Sequence, residues 1–163
     1  MNKRECSEQY GLRQVQRWRR GVHDEPPRLS HAAAEAEADR RYADIDVPAA
    51  ESLEACCARV SPFLRGELRD AMREAVHSRG SIHDDVPNFV ISSSENLIRA
   101  IVRELDELSD AETPLVNIPH ATPLIYQLDA DLEPIPSRLA NAPLRHGWYA
   151  CPEMRSERRS LWK

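Results

Sequence analysis

Apolar residues recur at helical spacing in three stretches of the chain. Residues 4–20 predict a first helix, which Gly21 ends. Residues 51–77 predict a long amphipathic helix, in which Pro62 introduces a kink or a division. The third helical face lies in the second half of the chain, and its apolar members are Leu97, Ile98, Ile101, Val102, Leu105 and Leu108.

The segment from 89 to 103 places a short apolar run directly before this third helix. Residues 89–91 have the pattern of a strand buried in a parallel sheet. Ser92 and Glu95 have the spacing of a capping box, which predicts a helix start. Because α/β folds present backbone N–H groups to phosphates where a strand leads into a helix, this turn is a candidate phosphate site.

The last predicted elements are a short turn or helix and a hairpin. Ser109 and Glu112 repeat the capping-box spacing. Residues 123–128 and 132–135 predict two short strands, with a reversal at 129–131. One internal strand and one hairpin beside three helices predict an α/β fold whose sheet is incomplete.

The remaining stretches lack periodicity. Residues 23–48 are rich in proline, alanine and acids and predict a surface loop with a short helix at 32–41. Residues 79–87 predict a turn region, and residues 138–163 an irregular basic tail.

Composition narrows the class of protein. A length of 163 residues suits one domain, and a net charge of −5 disfavours a nucleic-acid binder. No run is long enough to span a membrane and the N-terminus has no apolar signal core, so an intracellular protein is expected. Cys6, Cys56, Cys57 and Cys151 lack CxxC spacing and predict reduced core thiols, and six scattered histidines predict no metal site.

Several short motifs share their order and spacing with a known family. They are Asn2-Lys3, Tyr10-Gly11, Trp18-Arg19-Arg20, Pro26-Pro27, Asp39-Arg40-Arg41-Tyr42-Ala43-Asp44, Glu51-Ser52-Leu53, Arg59, Pro62-Phe63, Asn96, Arg99, Asn117-Ile118-Pro119 and Pro123-Leu124-Ile125-Tyr126. Through them, residues 2–136 resemble the C-terminal half of the cofactor-dependent phosphoglycerate mutases, of the histidine phosphatase superfamily. The resemblance implies a partial three-layer α/β/α sandwich that lacks the N-terminal strands, with residues 1–137 forming that half-domain.

The resemblance also implies a reaction and its ligands. The family interconverts 3-phosphoglycerate and 2-phosphoglycerate in glycolysis through a phosphohistidine, primed by 2,3-bisphosphoglycerate and without a metal. Phosphoglycerates are therefore the expected ligands, a homo-oligomer is an expected assembly, and the cytoplasm, with a plastid as alternative, is the expected compartment.

Three cations of this chain match the family's substrate-binding residues, namely Lys3, Arg19 and Arg20. Guanidinium groups bind phosphate and carboxylate bidentately, which suits substrates with several negative charges. The structural alternative is that Arg19 and Arg20 form the solvated face of a basic helix.

The family's second catalytic motif, H-G-N, is altered in this chain. Asn96 matches its asparagine, which lines the phosphate pocket, but Ser94 replaces the histidine and Glu95 the glycine. A serine cannot supply the positive charge that stabilises a transferring phosphoryl group. Glu95 places an anion where an anion should bind, or it simply caps its own helix.

The family's nucleophilic histidine and general acid have no counterpart before Asn2. Residues 144–147 spell the R-H-G nucleophile motif, but 138–143 are not strand-like, so His146 is expected to be a chance match. His120 is expected to be a loop histidine. We therefore expect no turnover by the isolated chain, unless a longer natural chain or a separate N-terminal half completes it. The alternative is a non-catalytic subunit that binds a phosphorylated metabolite or docks onto an intact mutase.

Overall fold

Helices make up most of the regular structure in this computed structural model, which describes residues 3–28, 44–45, 47–78 and 87–151. Residues 1–56 and residues 57–163 form two separate units. In the first, α1 spans Lys3–Tyr10 and α2 spans Leu12–Arg20. The helix predicted over 4–20 is thus two helices, because Gly11 has a φ of 79°, which only glycine adopts readily.

Gly21 ends α2 as predicted. Its N–H donates to the carbonyl of Arg17 at 2.7 Å, and a Cβ at this position would lie 2.5 Å from the same oxygen. The side chains of Tyr10 and Trp18 meet edge to face, with ring centroids 5.0 Å apart. This contact joins the two helices on either side of the Gly11 break.

The long helix predicted over 51–77 forms with one irregular turn. Helix α3 spans Leu53–Phe63, a π-helical turn spans Leu64–Leu68, and α4 spans Arg69–Ser78. Pro62 lies in the last turn of α3. Because proline has no N–H to donate, the regular ladder is interrupted here, and the π-helical turn follows directly.

Helix α5 spans Glu95–Leu105 and buries Ile101 and Val102, as its apolar spacing predicts, and it also buries Ala100. Its N-cap is Ser94, not Ser92. The strand predicted at 89–91 is wrong: no described residue pairs with this segment, and the Val90 side chain is 92% exposed. An apolar run forms a strand only where another strand accepts and donates its backbone hydrogen bonds.

The C-terminal elements are short. The Ser109–Glu112 capping box is confirmed, and a 3₁₀ turn at Thr113–Leu115 follows it. The two strands are β1, Leu124–Ile125, and β2, Trp148–Tyr149, which pair antiparallel.

The chain also reverses at 129–131 as predicted, since Ile135 N–H donates to the Gln127 carbonyl at 2.8 Å. However, only a single bridge, Leu128 to Pro134, joins the two arms of this reversal, and β1 takes β2 as its partner instead.

The second unit has a small apolar core. Its buried members are Val102, Leu108, Val116, Leu144 and Tyr149. Two of these five lie in the segment that the sequence assigns to an irregular tail, so residues 138–151 are a folded part of this unit.

The fold is mixed, with helices and a two-stranded sheet, and no described helix is both long enough and apolar enough to cross a membrane. The predictions for 32–41 and for most of the 79–87 turn lie outside the described residues.

Candidate functional site

The first turn of α5 gathers the residues that the sequence assigns to the altered phosphate motif. Ser94 Oγ accepts from the backbone N–H of Leu97 at 3.4 Å and caps the helix. Glu95 Oε1 accepts from Arg99 Nη2 at 2.6 Å, and Asn96 Oδ1 accepts from Arg99 Nη1 at 2.8 Å. The three predicted residues therefore lie together, but two of them are engaged by Arg99.

Arg99 explains why Glu95 stands at this position. The Arg99 side chain is 1% exposed while that of Glu95 is 29% exposed, so the guanidinium is buried and its counter-ion lies at the surface. Its Nε has no hydrogen-bond partner in the part of the chain that the structure describes. A buried guanidinium needs a nearby negative charge, and Glu95 supplies it one helical turn away.

The arrangement also sets the electrostatics of the helix N-terminus. The helix dipole favours an anion at this end, and the Glu95 carboxylate already occupies the first turn. An external phosphate at the same place would meet this carboxylate, and Arg99, the cation of this turn, is already paired with it. The first turn of α5 is thus organised around an internal ion pair.

The predicted cations belong to the other unit. Lys3 is the first residue of α1, and Arg19 and Arg20 are the last two residues of α2. Arg17, on the same helix, forms an ion pair with Asp24 at 2.9 Å. Arg19 is partly buried and has no ion-pair or hydrogen-bond partner among the described residues, so its guanidinium is available to an anionic ligand.

An apolar groove of about 440 Å³ lies beside the segment that precedes α5. One side consists of α3 and the π-helical turn, and the other of residues 90–93 with Leu97 and Ile101 of α5. Its apolar lining residues are Val60, Phe63, Leu64, Leu68, Val90, Ile91, Leu97 and Ile101. Main-chain groups of residues 89–93 have no hydrogen-bond partner in the described ranges, so an apolar surface and an unpaired backbone edge lie side by side.

A second polar cluster surrounds Asp106, the fully buried residue that follows α5. Asp106 Oδ1 accepts from the backbone N–H of Arg145 at 2.7 Å and of His146 at 2.6 Å. The Nδ1 atom of His146 lies 3.0 Å from the same oxygen, and Tyr126 donates its hydroxyl to Oδ2 at 2.5 Å. Four donors thus meet one buried carboxylate, which satisfies its charge.

Arg145 joins this cluster to the neighbouring capping box. Its Nη1 donates to the Asp106 main-chain carbonyl at 2.5 Å, and its Nη2 to Glu112 Oε1 at 2.7 Å. The hydroxyl and backbone N–H of Ser109, and then the charge of Arg145, lower the pKa of Glu112. The residue after His146 must be glycine, because a Cβ on Gly147 would overlap the Tyr126 ring.

The environment of Tyr126 keeps its phenol protonated. Burial raises the pKa of Tyr126 well above its ordinary value, and the negative charge of Asp106 raises it further. The Tyr126 hydroxyl is therefore a permanent donor to Asp106, which fixes the direction of that hydrogen bond.

The sequence pattern places the R-H-G motif at 145–147 in a predicted tail, where it is expected to be a chance match. The partner that gives this motif a role is Asp106, the residue directly after α5, which lies 39 and 40 residues before Arg145 and His146 and so outside any spacing rule. His120 lies in an exposed turn, which agrees with its expected place in a loop.

Among the described residues, no three His, Cys, Asp or Glu side chains cluster as metal ligands. No family model matches the chain.

Proposed function

We propose that this chain is a phosphoglycerate mutase-like protein that does not turn over phosphoglycerates by itself. In this proposal its fold is the C-terminal part of a three-layer α/β/α sandwich. Its proposed ligands are 3-phosphoglycerate and 2,3-bisphosphoglycerate, and the proposed binding residues of the first unit are Lys3, Arg19 and Arg20. The motif resemblance supports the family, and the first turn of α5 supports the absence of turnover.

The absence of turnover follows from the roles that the altered residues have taken. Ser94 caps α5, and Glu95 neutralises the buried Arg99. Neither residue can act as the protonated histidine that a phosphoryl transfer requires at this position. Asn96 is held by Arg99 at 2.8 Å, which orients its amide but leaves the carboxylate of Glu95 beside any incoming phosphate.

Turnover is tested by ³¹P NMR of the purified chain with 3-phosphoglycerate and a catalytic amount of 2,3-bisphosphoglycerate. We expect no 2-phosphoglycerate signal above the buffer control. An intact cofactor-dependent mutase, added to a parallel sample, shows that the substrates are competent. Conversion by the chain alone would overturn the non-catalytic assignment.

Ligand binding is tested separately by isothermal titration calorimetry with 3-phosphoglycerate. Replacing Arg19 with alanine should weaken binding at least about tenfold, because it removes a guanidinium that has no other partner among the described residues. Arg13→Ala is the matched control, since Arg13 is an exposed arginine on the same helix and outside the motif. Equal affinities in the parent and the Arg19 variant would contradict the assigned ligand.

A second function, as a docking subunit, is favoured by the exposed segment before α5. Val90 and Ile91 are 92% and 48% exposed, and both line the apolar groove. Unpaired strand edges with apolar side chains associate readily with other polypeptides. The partner in this proposal is an intact mutase or a separate N-terminal half of the same fold.

Docking is tested by sedimentation velocity of the chain with an intact mutase. Val90→Lys should abolish a complex, because it places a charge in the middle of the apolar edge. Leu139→Lys is the control, since Leu139 is 48% exposed and lies away from the groove lining. A complex that survives Val90→Lys, or one that Leu139→Lys removes equally, would contradict docking at the groove.

A further inference from the structure

The pairing of His146 with Asp106 fixes where the imidazole carries its proton. The four groups that meet the Asp106 carboxylate are two backbone N–H groups, the Tyr126 hydroxyl and His146 Nδ1. Because the backbone groups are donors and the Tyr126 phenol stays protonated, the carboxylate acts as an acceptor throughout. His146 Nδ1 must therefore hold a hydrogen and donate it to Asp106.

The other ring nitrogen is left with its lone pair. In a neutral imidazole with Nδ1–H, the Nε2 atom is the nucleophilic and basic atom. Within the described part of the chain, Nε2 of His146 has no hydrogen-bond partner, and the side chain is 19% exposed. A buried carboxylate thus orients a ring whose reactive nitrogen remains accessible.

A carboxylate behind the ring favours attack by Nε2. As Nε2 forms a bond, positive charge develops on the imidazole, and an anion hydrogen-bonded to Nδ1–H stabilises that charge. Asp106 is fully buried, so water screens this interaction little. The same logic is weak for a surface pair, where the solvent competes.

The charges near the ring indicate which electrophile suits it. Within the hydrogen-bonded cluster that includes this ring, Asp106 and Glu112 carry two negative charges, and Arg145, which contacts both residues, carries one positive charge. The sum is one net negative charge, which repels anionic donors and leaves uncharged electrophiles unaffected.

We propose that His146 is an acyl-accepting nucleophile for activated, uncharged acyl donors. Nε2 attacks the carbonyl carbon of an ester with a good leaving group, an N–C bond forms, and the C–O bond breaks. The alkoxide or aryloxide leaves with the electron pair. The resulting N-acylimidazolium keeps its Nδ1–H on Asp106 until water attacks the acyl carbon. The N–C bond then breaks, the carboxylic acid and the neutral ring are released, and the remaining proton of that water passes through solvent to the alkoxide or aryloxide. This chemistry is independent of phosphoglycerate binding.

Two other histidines of the chain serve as references for the reactivity of His146. His77 Nδ1 lies 2.7 Å from the Arg73 carbonyl, so it has the same tautomer but a neutral acceptor and an exposed side chain. His23 Nδ1 lies 3.1 Å from Glu54 Oε2, a carboxylate pair that is 58% and 64% exposed. If exposure alone set reactivity, His146 would react more slowly than both.

The test is site-resolved acylation of the full chain with diethylpyrocarbonate, an uncharged acyl reagent, followed by peptide mass spectrometry. At about pH 7.5, His146 should react faster than His77 and His23. Its rate should also exceed its own rate in urea-unfolded chain, whereas simple burial would lower it. Asp106→Asn should lower the acylation rate of His146 at least about tenfold. This loss of rate is smaller than the one that the same change causes in a complete catalytic triad.

Three outcomes would overturn the proposal. The first is a ranking of the acylation rates that follows side-chain exposure, with His146 reacting most slowly. The second is a folded rate for His146 at or below its unfolded rate, a comparison that needs no variant to fold. The third is an Asp106→Asn variant with native circular dichroism and an unchanged His146 rate. Hydrolysis of p-nitrophenyl acetate, lost on His146→Gln and retained on His77→Gln, is the expected accompanying result.

Discussion

Removing the Tyr126 hydroxyl should destabilise the second unit by about 2 kcal/mol, within the usual range for a hydrogen bond to a charged group. Tyr126 is the only described donor to Asp106 Oδ2, at 2.5 Å, whereas the other three donors converge on Oδ1. Tyr126→Phe therefore leaves one oxygen of a fully buried carboxylate without a partner. No cavity forms, because the ring remains.

Urea unfolding followed by tryptophan fluorescence measures this loss. Tyr149→Phe is the matched control, because Tyr149 donates its hydroxyl to the neutral main-chain carbonyl of Asn117. Because this acceptor is neutral, Tyr149→Phe should lower the free energy of unfolding by about 1 kcal/mol, which is half of the loss expected for Tyr126→Phe. Equal losses in the two variants, or a loss below about 0.5 kcal/mol for Tyr126→Phe, would refute the argument that the Asp106 charge makes the difference.

Three further predictions concern the same unit. The pKa of Tyr126 in the folded chain is raised above its ordinary 10.0. The contribution of Tyr126 to the free energy of unfolding is therefore intact below about pH 10 and falls by about 1.4 kcal/mol per pH unit above it. Urea titrations from about pH 9 to 11 should show this slope in the parent and not in Tyr126→Phe. Glu95→Gly should cost about 3 kcal/mol because the buried Arg99 loses its counter-ion; a loss under about 1 kcal/mol in urea would contradict that role. Gly147→Ala should cost about 2 kcal/mol through overlap with the Tyr126 ring, and a thermal midpoint equal to the parent's would exclude this clash.

Helices in this chain could be predicted from local pattern, but their interruptions depend on single residues. The spacing of apolar positions predicts α3, α4 and α5, because helix hydrogen bonds form within a few residues. Gly11 divides the first helix by its φ of 79°, a backbone state that the apolar pattern does not register. Residues 89–91 fail as a strand for the opposite reason, since a strand needs a distant partner.

Local signals also explain what could be predicted of the candidate site. The start of α5 is predicted close to its place, although the N-cap is Ser94 and not Ser92, and Ser94, Glu95 and Asn96 do lie there together. Arg99 could not be assigned its role, because its burial depends on how α5 packs. The Asp106 cluster depends on contacts across 39 and 40 residues of chain, which no spacing rule covers.

The contacts of residues 144–149 have a consequence for the order in which the second unit folds. The core that holds Val102 and Val116 also needs Leu144 and Tyr149, and the Asp106 carboxylate receives its backbone donors from residues 145 and 146. Contacts this distant in sequence close late and slow folding. A nascent chain that has not yet reached Tyr149 therefore carries α5 with an uncompensated acid at its end. We expect this unit to acquire protease resistance in one late step, when its final segment is synthesised.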